Sequence, residues 1–217
     1  MSSLFSVGII FLSFLFGGEK QNPPGTVQLE TNKYIDQSEI SNFAWKEYLL
    51  WLKQNYGENS SEFKNALPEN DSWKELYRID FSLVAITKQN MNYPVVGVSY
   101  KQAVDYCQWR TNRVNEKIKG KSAVVYRLPT EAEYIEAARS EKKDIEKFFN
   151  ADLNLFSLPT KTKGFYTMFV SNNVSEMTTI EGQAFGGNGT NGNNALKVYT
   201  SPEKWLGFRC ITVRKDY

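Results

Sequence analysis

Apolar residues recur at helical spacing after Ser41 and predict the first helix of the domain. Ser41 or Asn42 can cap the start of this helix, and Gly57 is placed to end it. Ahead of it, the apolar positions within residues 27–29 and 34–35 suggest two strand pieces. The apolar face of the helix consists of Phe43, Trp45, Tyr48, Leu49 and Leu52.

Two further helices are predicted by capping signals. Ser99 and Gln102 form a capping box, in which each side chain satisfies a backbone group left free at the helix start. Cys107 falls on the apolar face of that helix, so we expect its side chain to point into the core. Thr130 and Glu133 repeat the same pattern further along the chain.

The remaining segments are dominated by loops and short elements. Residues 58–92 are polar and aromatic, with one short helix predicted near Ser72–Tyr77. Val95–Val98 predicts a short strand, the glycine–asparagine tract 186–194 favours turns, and residues 205–215 have the pattern of a strand. Few long elements among many loops predict an irregular α+β domain.

Composition excludes several classes of chemistry. The chain of 217 residues is long enough for one substantial domain, and its net charge of +2 is spread over intermixed acidic and basic residues. Nucleic acid is therefore not expected as a partner. There is no histidine, which removes Ser-His and Cys-His mechanisms. The two cysteines cannot form a four-ligand zinc site.

The N-terminal segment predicts export. Leu4–Phe16 is an apolar run that is short for a bilayer span and suited to the core of a secretion signal. We assign residues 1–18 to a signal peptide or short membrane anchor, 19–26 to a linker and 27–217 to the domain. A periplasmic or cell-envelope location permits a disulfide, and an uncleaved anchor would associate the protein with the membrane.

Five stretches, in order, resemble the formylglycine-generating enzyme family, also called sulfatase-modifying factor domains. The resemblance implies a variant of the C-type-lectin-like fold with little regular secondary structure. It also implies that the arginine and glutamates of the third stretch tie loops to the core. The stretches are YIDQSEISN (34–42), YPVVGVSYKQAVDYCQW (93–109), YRLPTEAEYIEAAR (126–139), NNVSEM (172–177) and GFRC (207–210).

The resemblance also implies roles for cysteine residues, in a disulfide and in copper binding. It implies that Cys107 and Cys210 form a structural disulfide, the alternative being two separate buried thiols. The family's oxidases bind copper through two further cysteines that precede GFRC, and residues 188–206 contain none. Related iron-dependent sulfoxide synthases need histidine ligands. The resemblance therefore implies a catalytically degenerate member with no catalytic residues carried over.

A weak calcium site is suggested by NNVSEM. It resembles a family segment in which Asn172 and Val174 would offer backbone carbonyls and Glu176 a carboxylate. Two departures weaken the match, because Thr167 stands where Asn or Asp is usual and Ser175 replaces a tryptophan. The alternative is a turn whose side chains cap local backbone groups.

The leading functional hypothesis is a non-catalytic binding or scaffold subunit of a cell-envelope assembly. The resemblance extends to domains of bacterial gliding-motility and secretion lipoproteins, and implies protein partners. The alternatives are an enzyme of unrecognised chemistry on this fold and a lectin-like ligand binder. Tyr56, Phe63 and Trp73 are the candidate interface anchors. The competing interpretation is that these aromatics only fold their insertion onto the domain.

Overall fold

The computed structural model describes residues 22–118, 122–137, 161–162, 165–166, 174–186 and 196–216. The predicted signal segment and residues 19–21 of the linker lie outside the described residues. The helices are α1 Asn42–Tyr56, α2 Ser61–Lys64, α3 Asn70–Tyr77, α4 Tyr100–Asn115 and α5 131–137. The strands are β1 Thr26–Glu30, β2 Lys33–Asp36, β3 Ser122–Arg127, β4 Lys161–Thr162, β5 Phe165–Tyr166, β6 Ser175–Met177, β7 Gln183–Phe185, β8 Lys197–Val198, β9 Leu206–Gly207 and β10 Ile211–Asp216.

Two four-stranded sheets organise the described part of the chain, and the mixture of helix and sheet confirms the predicted α+β class. The first has the order β1-β2-β10-β3 and is antiparallel throughout, so the C-terminal strand lies between two strands from earlier in the chain. The second has the order β8-β7-β6-β9, with β6 and β9 parallel. Residues 208–210 carry the chain from the second sheet to the first. No described helix combines the length and the apolar character that a bilayer span needs.

The helix starts follow the predicted capping chemistry. The Ser41 hydroxyl accepts from the backbone of α1, and Gly57 follows its last residue. In α4 the Ser99 and Gln102 side chains form the predicted capping box. Thr130 and Glu133 do the same at α5, with each side chain accepting from the other's backbone amide.

The prediction of a strand at Val95–Val98 was wrong. Val95, Val96 and Val98 are fully buried, but their backbone forms no ladder and instead bonds to separate neighbours. The amide of Val95 donates to the Ile40 carbonyl and the carbonyl of Gly97 accepts from the Glu69 amide. Gly97 has a φ of +72°, and an added Cβ would lie 2.8 Å from the Glu69 carbonyl oxygen. The segment is therefore a buried loop bent by its glycine.

Aromatic rings join the helices to the passage between the sheets. Trp45 of α1 stacks on Tyr106 of α4 at a centroid separation of 5.5 Å, and Phe208 meets both rings edge-on. All three side chains are buried. Such pairs add directional preference to the burial of a large apolar area, so they fix how α1 and α4 sit over residues 208–210.

Two of the three predicted interface anchors are core residues, which corrects that prediction. Trp73 is 0% exposed and packs on Tyr77 and Phe81, with ring centroids 4.2 and 4.9 Å apart. Phe63 is 6% exposed and belongs to the main core cluster. The physical reason is that short helices α2 and α3 turn their aromatic face inward and fold the insertion onto the domain. Tyr56, 52% exposed, is the anchor that remains at the surface.

Replacing Trp73 by alanine should lower the free energy of unfolding by about 3–5 kcal/mol, because it leaves a large cavity among packed rings. Urea denaturation measures the loss. Tyr56→Ala is the matched control and should cost about 1 kcal/mol or less, since half of its surface already faces solvent. Equal stability of the two variants would contradict the assignment of Trp73 to the core.

Candidate functional site

A buried arginine lies at the centre of the polar groups that the fold brings together. Arg209, in the passage between the sheets, is 0% exposed. Its Nε and Nη2 donate to the two carboxylate oxygens of Glu176 at 2.6 and 2.7 Å. Its Nη1 donates to the Asp36 carbonyl at 3.3 Å, and Glu39 Oε2 lies 3.8 Å from Nη2. Tyr134 of α5 donates its hydroxyl to Glu176.

The electrostatics of this cluster keep Arg209 charged. Burial alone would lower the pKa of Arg209, but the carboxylates of Glu176 and Glu39 outweigh it and raise the pKa. Burial, and next the nearby charge of Glu176, raises the pKa of the Tyr134 hydroxyl, which therefore stays a donor. A fully buried ion pair of this kind is costly to break, because each partner would be left as an uncompensated charge.

This arrangement argues against Glu176 as a calcium ligand. Both of its oxygens are engaged by a guanidinium, so a calcium ion at the carboxylate would have to compete with a buried cation. Val174 is buried, while Asn172 and Thr167 lie outside the described residues. Among the residues described, no group of three or more acidic or cysteine side chains could hold a metal. The described residues favour a structural role over a calcium site, although not as the capping turn that was the alternative: Ser175–Met177 is a strand, and Glu176 pairs with the distant Arg209.

A second ion pair ties the start of the domain to its end. Arg110 of α4 donates from Nη1 to Asp36 Oδ2 at 2.7 Å and from Nη2 to the Pro24 carbonyl at 2.9 Å. The same Asp36 oxygen accepts from the Cys210 amide at 2.9 Å. The guanidinium lies 4.2 Å above the Tyr126 ring, a favourable cation–π geometry. Four separate parts of the chain therefore meet at Asp36 and Arg110.

The two cysteines lie beside this pair. The Sγ atoms of Cys107 and Cys210 are 3.2 Å apart, and both side chains are buried. In the structure they are two thiols in contact, so the disulfide itself stays a prediction. Burial, followed by the neighbouring Cys107, raises the pKa of the Cys210 thiol. A protonated, enclosed thiol is a poor nucleophile and a poor metal ligand.

The third motif stretch also carries a structural ion pair. Arg127 donates to both oxygens of Glu133 at 2.7 Å, and Glu133 also accepts from the Thr130 amide. Burial would raise the pKa of Glu133, but Arg127 and this amide outweigh it and lower the pKa to about 2. The pair thus caps α5 and ties it to β3.

All five motif stretches contribute to the buried polar groups around Asp36 and Arg209. Sequence reasoning placed Cys107, Glu176 and Cys210 but missed the roles of Asp36, Glu39 and Tyr134. A signal was present, because each of the missed residues has a polar or ionisable side chain inside one of the motif stretches. What the sequence could not give is their partners, since these lie up to 174 positions apart.

Oxidation should join Cys107 to Cys210 in the exported protein, because the two Sγ atoms are already in contact. In the chain-entropy model, a crosslink across about 100 residues stabilises the fold by roughly 4–5 kcal/mol. Peptide mapping under nonreducing conditions would detect the linked peptides, and denaturation with and without reductant would measure the difference. Cys107→Ala is the control and should abolish the reductant effect. Free alkylation of both thiols in the folded exported protein would contradict the prediction.

Comparison with known proteins agrees with this geometry. The family model described as sulfatase-modifying factor enzyme 1-like domain matches residues 11–161, which includes the first three motif stretches. No curated protein matches the chain. Among solved structures, the crystal structure of CarF covers 83% of this chain and 86% of its own, with a TM-score of 0.54 and 17% sequence identity. That likeness shows the fold alone. Since the family model matches well over half of the sequence, the chain belongs to the sulfatase-modifying factor family.

Proposed function

We propose that this protein is a non-catalytic sulfatase-modifying-factor-like domain that acts as a binding or scaffold subunit of a cell-envelope assembly. The observation that carries the proposal is its use of cysteine. The whole chain has only two cysteines, Cys107 and Cys210. Their thiols are buried in the core in contact with each other. No thiolate remains for the pair that the family's copper oxidases require, because residues 188–206 contain no cysteine.

The buried charges support the same proposal. Catalytic acids and bases need contact with a substrate and a pKa matched to their task. Glu176 and Arg209 are instead fully buried and paired with each other. The chain has no histidine to serve in their place. These buried groups therefore stabilise the fold, and a partner would be bound by residues at the surface.

The proposed envelope location and the proposed protein partner are inferred from the sequence. The apolar run Leu4–Phe16 would export the domain or hold it at a membrane. The mixed surface charge favours protein over nucleic acid as a partner. On the 53–92 insertion, Tyr56, Ile79 and Val84 are the large apolar side chains that reach solvent, so the partner surface is best sought there.

The proposal predicts that the native protein copurifies from the envelope with a stoichiometric protein subunit. It also predicts that neither this complex nor the isolated chain makes formylglycine. Both the complex and the isolated chain would be incubated with Cu(I), oxygen and a cysteine peptide of the sulfatase type. The aldehyde product is expected at the background level in both samples.

Enzyme-dependent aldehyde formation would contradict the non-catalytic part of the proposal. Cys107→Ala is the control for such a result, since loss of the product in that variant would assign the activity to this chain. Recovery of the native protein as a monomer without any bound subunit would contradict the scaffold part.

A further inference from the structure

A polar groove of about 280 Å³ opens between the C-terminal half of α1, the short helix α2 and the first half of α4. Its volume is close to the lower end of the range for small-molecule sites. It shares no residue with the buried groups around Asp36 and Arg209. The lining side chains that matter below are Tyr48, Tyr56, Glu62, Lys101 and Asp105.

The most informative of these residues is Tyr48. Its side chain is 5% exposed, and its ring packs on Trp45, Tyr106 and Trp109 in the core. The hydroxyl makes no hydrogen bond within the described part of the chain, although the residue lines the groove. Burial, with the nearby charge of Asp105 next, raises the pKa of Tyr48, so the hydroxyl stays protonated. A nearly buried donor without a protein partner is thus presented to the groove, and a ligand can pair with it.

The charges around the groove have both signs. Lys101 Nζ lies 2.6 Å from Asp105 Oδ2, and Glu62 adds a second carboxylate. A cationic ligand would meet the ammonium of Lys101, and an anionic ligand would meet both carboxylates. A neutral molecule with several hydroxyls meets neither repulsion, because each hydroxyl can donate to a carboxylate or accept from a donor.

An aromatic face completes the site. Tyr56 is 52% exposed and is held edge-on against Trp51 with ring centroids 5.7 Å apart. An exposed, braced ring offers flat apolar area at low entropic cost. Beside polar side chains it suits a ligand with both C–H and hydroxyl faces, which is the surface of a sugar ring.

We propose that the groove between α1, α2 and α4 binds a neutral saccharide. The sugar lies against the Tyr56 ring, accepts a hydrogen bond from the Tyr48 hydroxyl and donates to the carboxylates of Glu62 and Asp105. This site does not depend on the proposed scaffold role, because saccharide binding can be measured whether or not a protein subunit copurifies.

The test is calorimetric titration of the full chain with glucose, N-acetylglucosamine and cellobiose. Wild type should bind at least one of the three. Tyr48→Phe should weaken that binding by about tenfold, which corresponds to one lost hydrogen bond. Its melting temperature should not fall, because the deleted hydroxyl has no partner in the described structure. Tyr199→Phe is the matched control, since that buried hydroxyl also lacks a partner but lies outside the groove. Its affinity should equal that of wild type.

Three results would overturn the proposal. The first is that the wild type binds none of the three sugars. The second is that the wild type, Tyr48→Phe and Tyr56→Ala bind the sugar with equal affinity. The third uses N-acetylargininamide as a cationic probe. If that probe binds more tightly than every sugar and Glu62→Gln removes its binding, the groove recognises a basic side chain instead.

Discussion

The structure depends on neutralising one guanidinium in the dry interior. Transfer of such a charge from water costs several kcal/mol even after relaxation, unless a counter-ion and hydrogen bonds compensate it. Arg209 obtains them from Glu176, Glu39 and the Asp36 carbonyl. These partners come from both ends of the domain, so the chain can satisfy the arginine only when both sheets are assembled around it.

The same constraint bears on function. The carboxylates best placed for metal or acid–base chemistry are already committed, Glu176 to Arg209 and Asp36 to Arg110. The thiols are enclosed beside them. The motif stretches therefore have an architectural role in this fold, which is compatible with the proposed non-catalytic function. Under the proposals made above, a ligand is bound by groups outside these stretches or on their exposed helical faces, as in the groove beside Tyr48.

Features set by local chemistry could be predicted from the sequence, and features set by distant partners could not. The caps at Ser41, Ser99 and Thr130 follow from side-chain groups within three residues of each helix start. Val95–Val98 has the local pattern of a strand, yet the Val95 amide and the Gly97 carbonyl bond to separate loops and Gly97 bends the backbone. Trp73 sits on a short polar helix, and only tertiary packing decides that its ring faces inward. The partners of Arg209 are likewise not visible before the sheets are known.

The most direct test of this account is a double-mutant cycle on Arg209 and Glu176. Arg209→Met and Glu176→Leu each leave one buried charge without its partner and should each cost about 3–5 kcal/mol. The double variant removes both charges of the pair, so its loss of stability should be clearly smaller than the sum of the two single losses, in both the presence and the absence of calcium. Free energies that add to within about 0.5 kcal/mol, or stabilisation of the wild type by calcium that Glu176→Leu removes, would contradict the structural role of the pair.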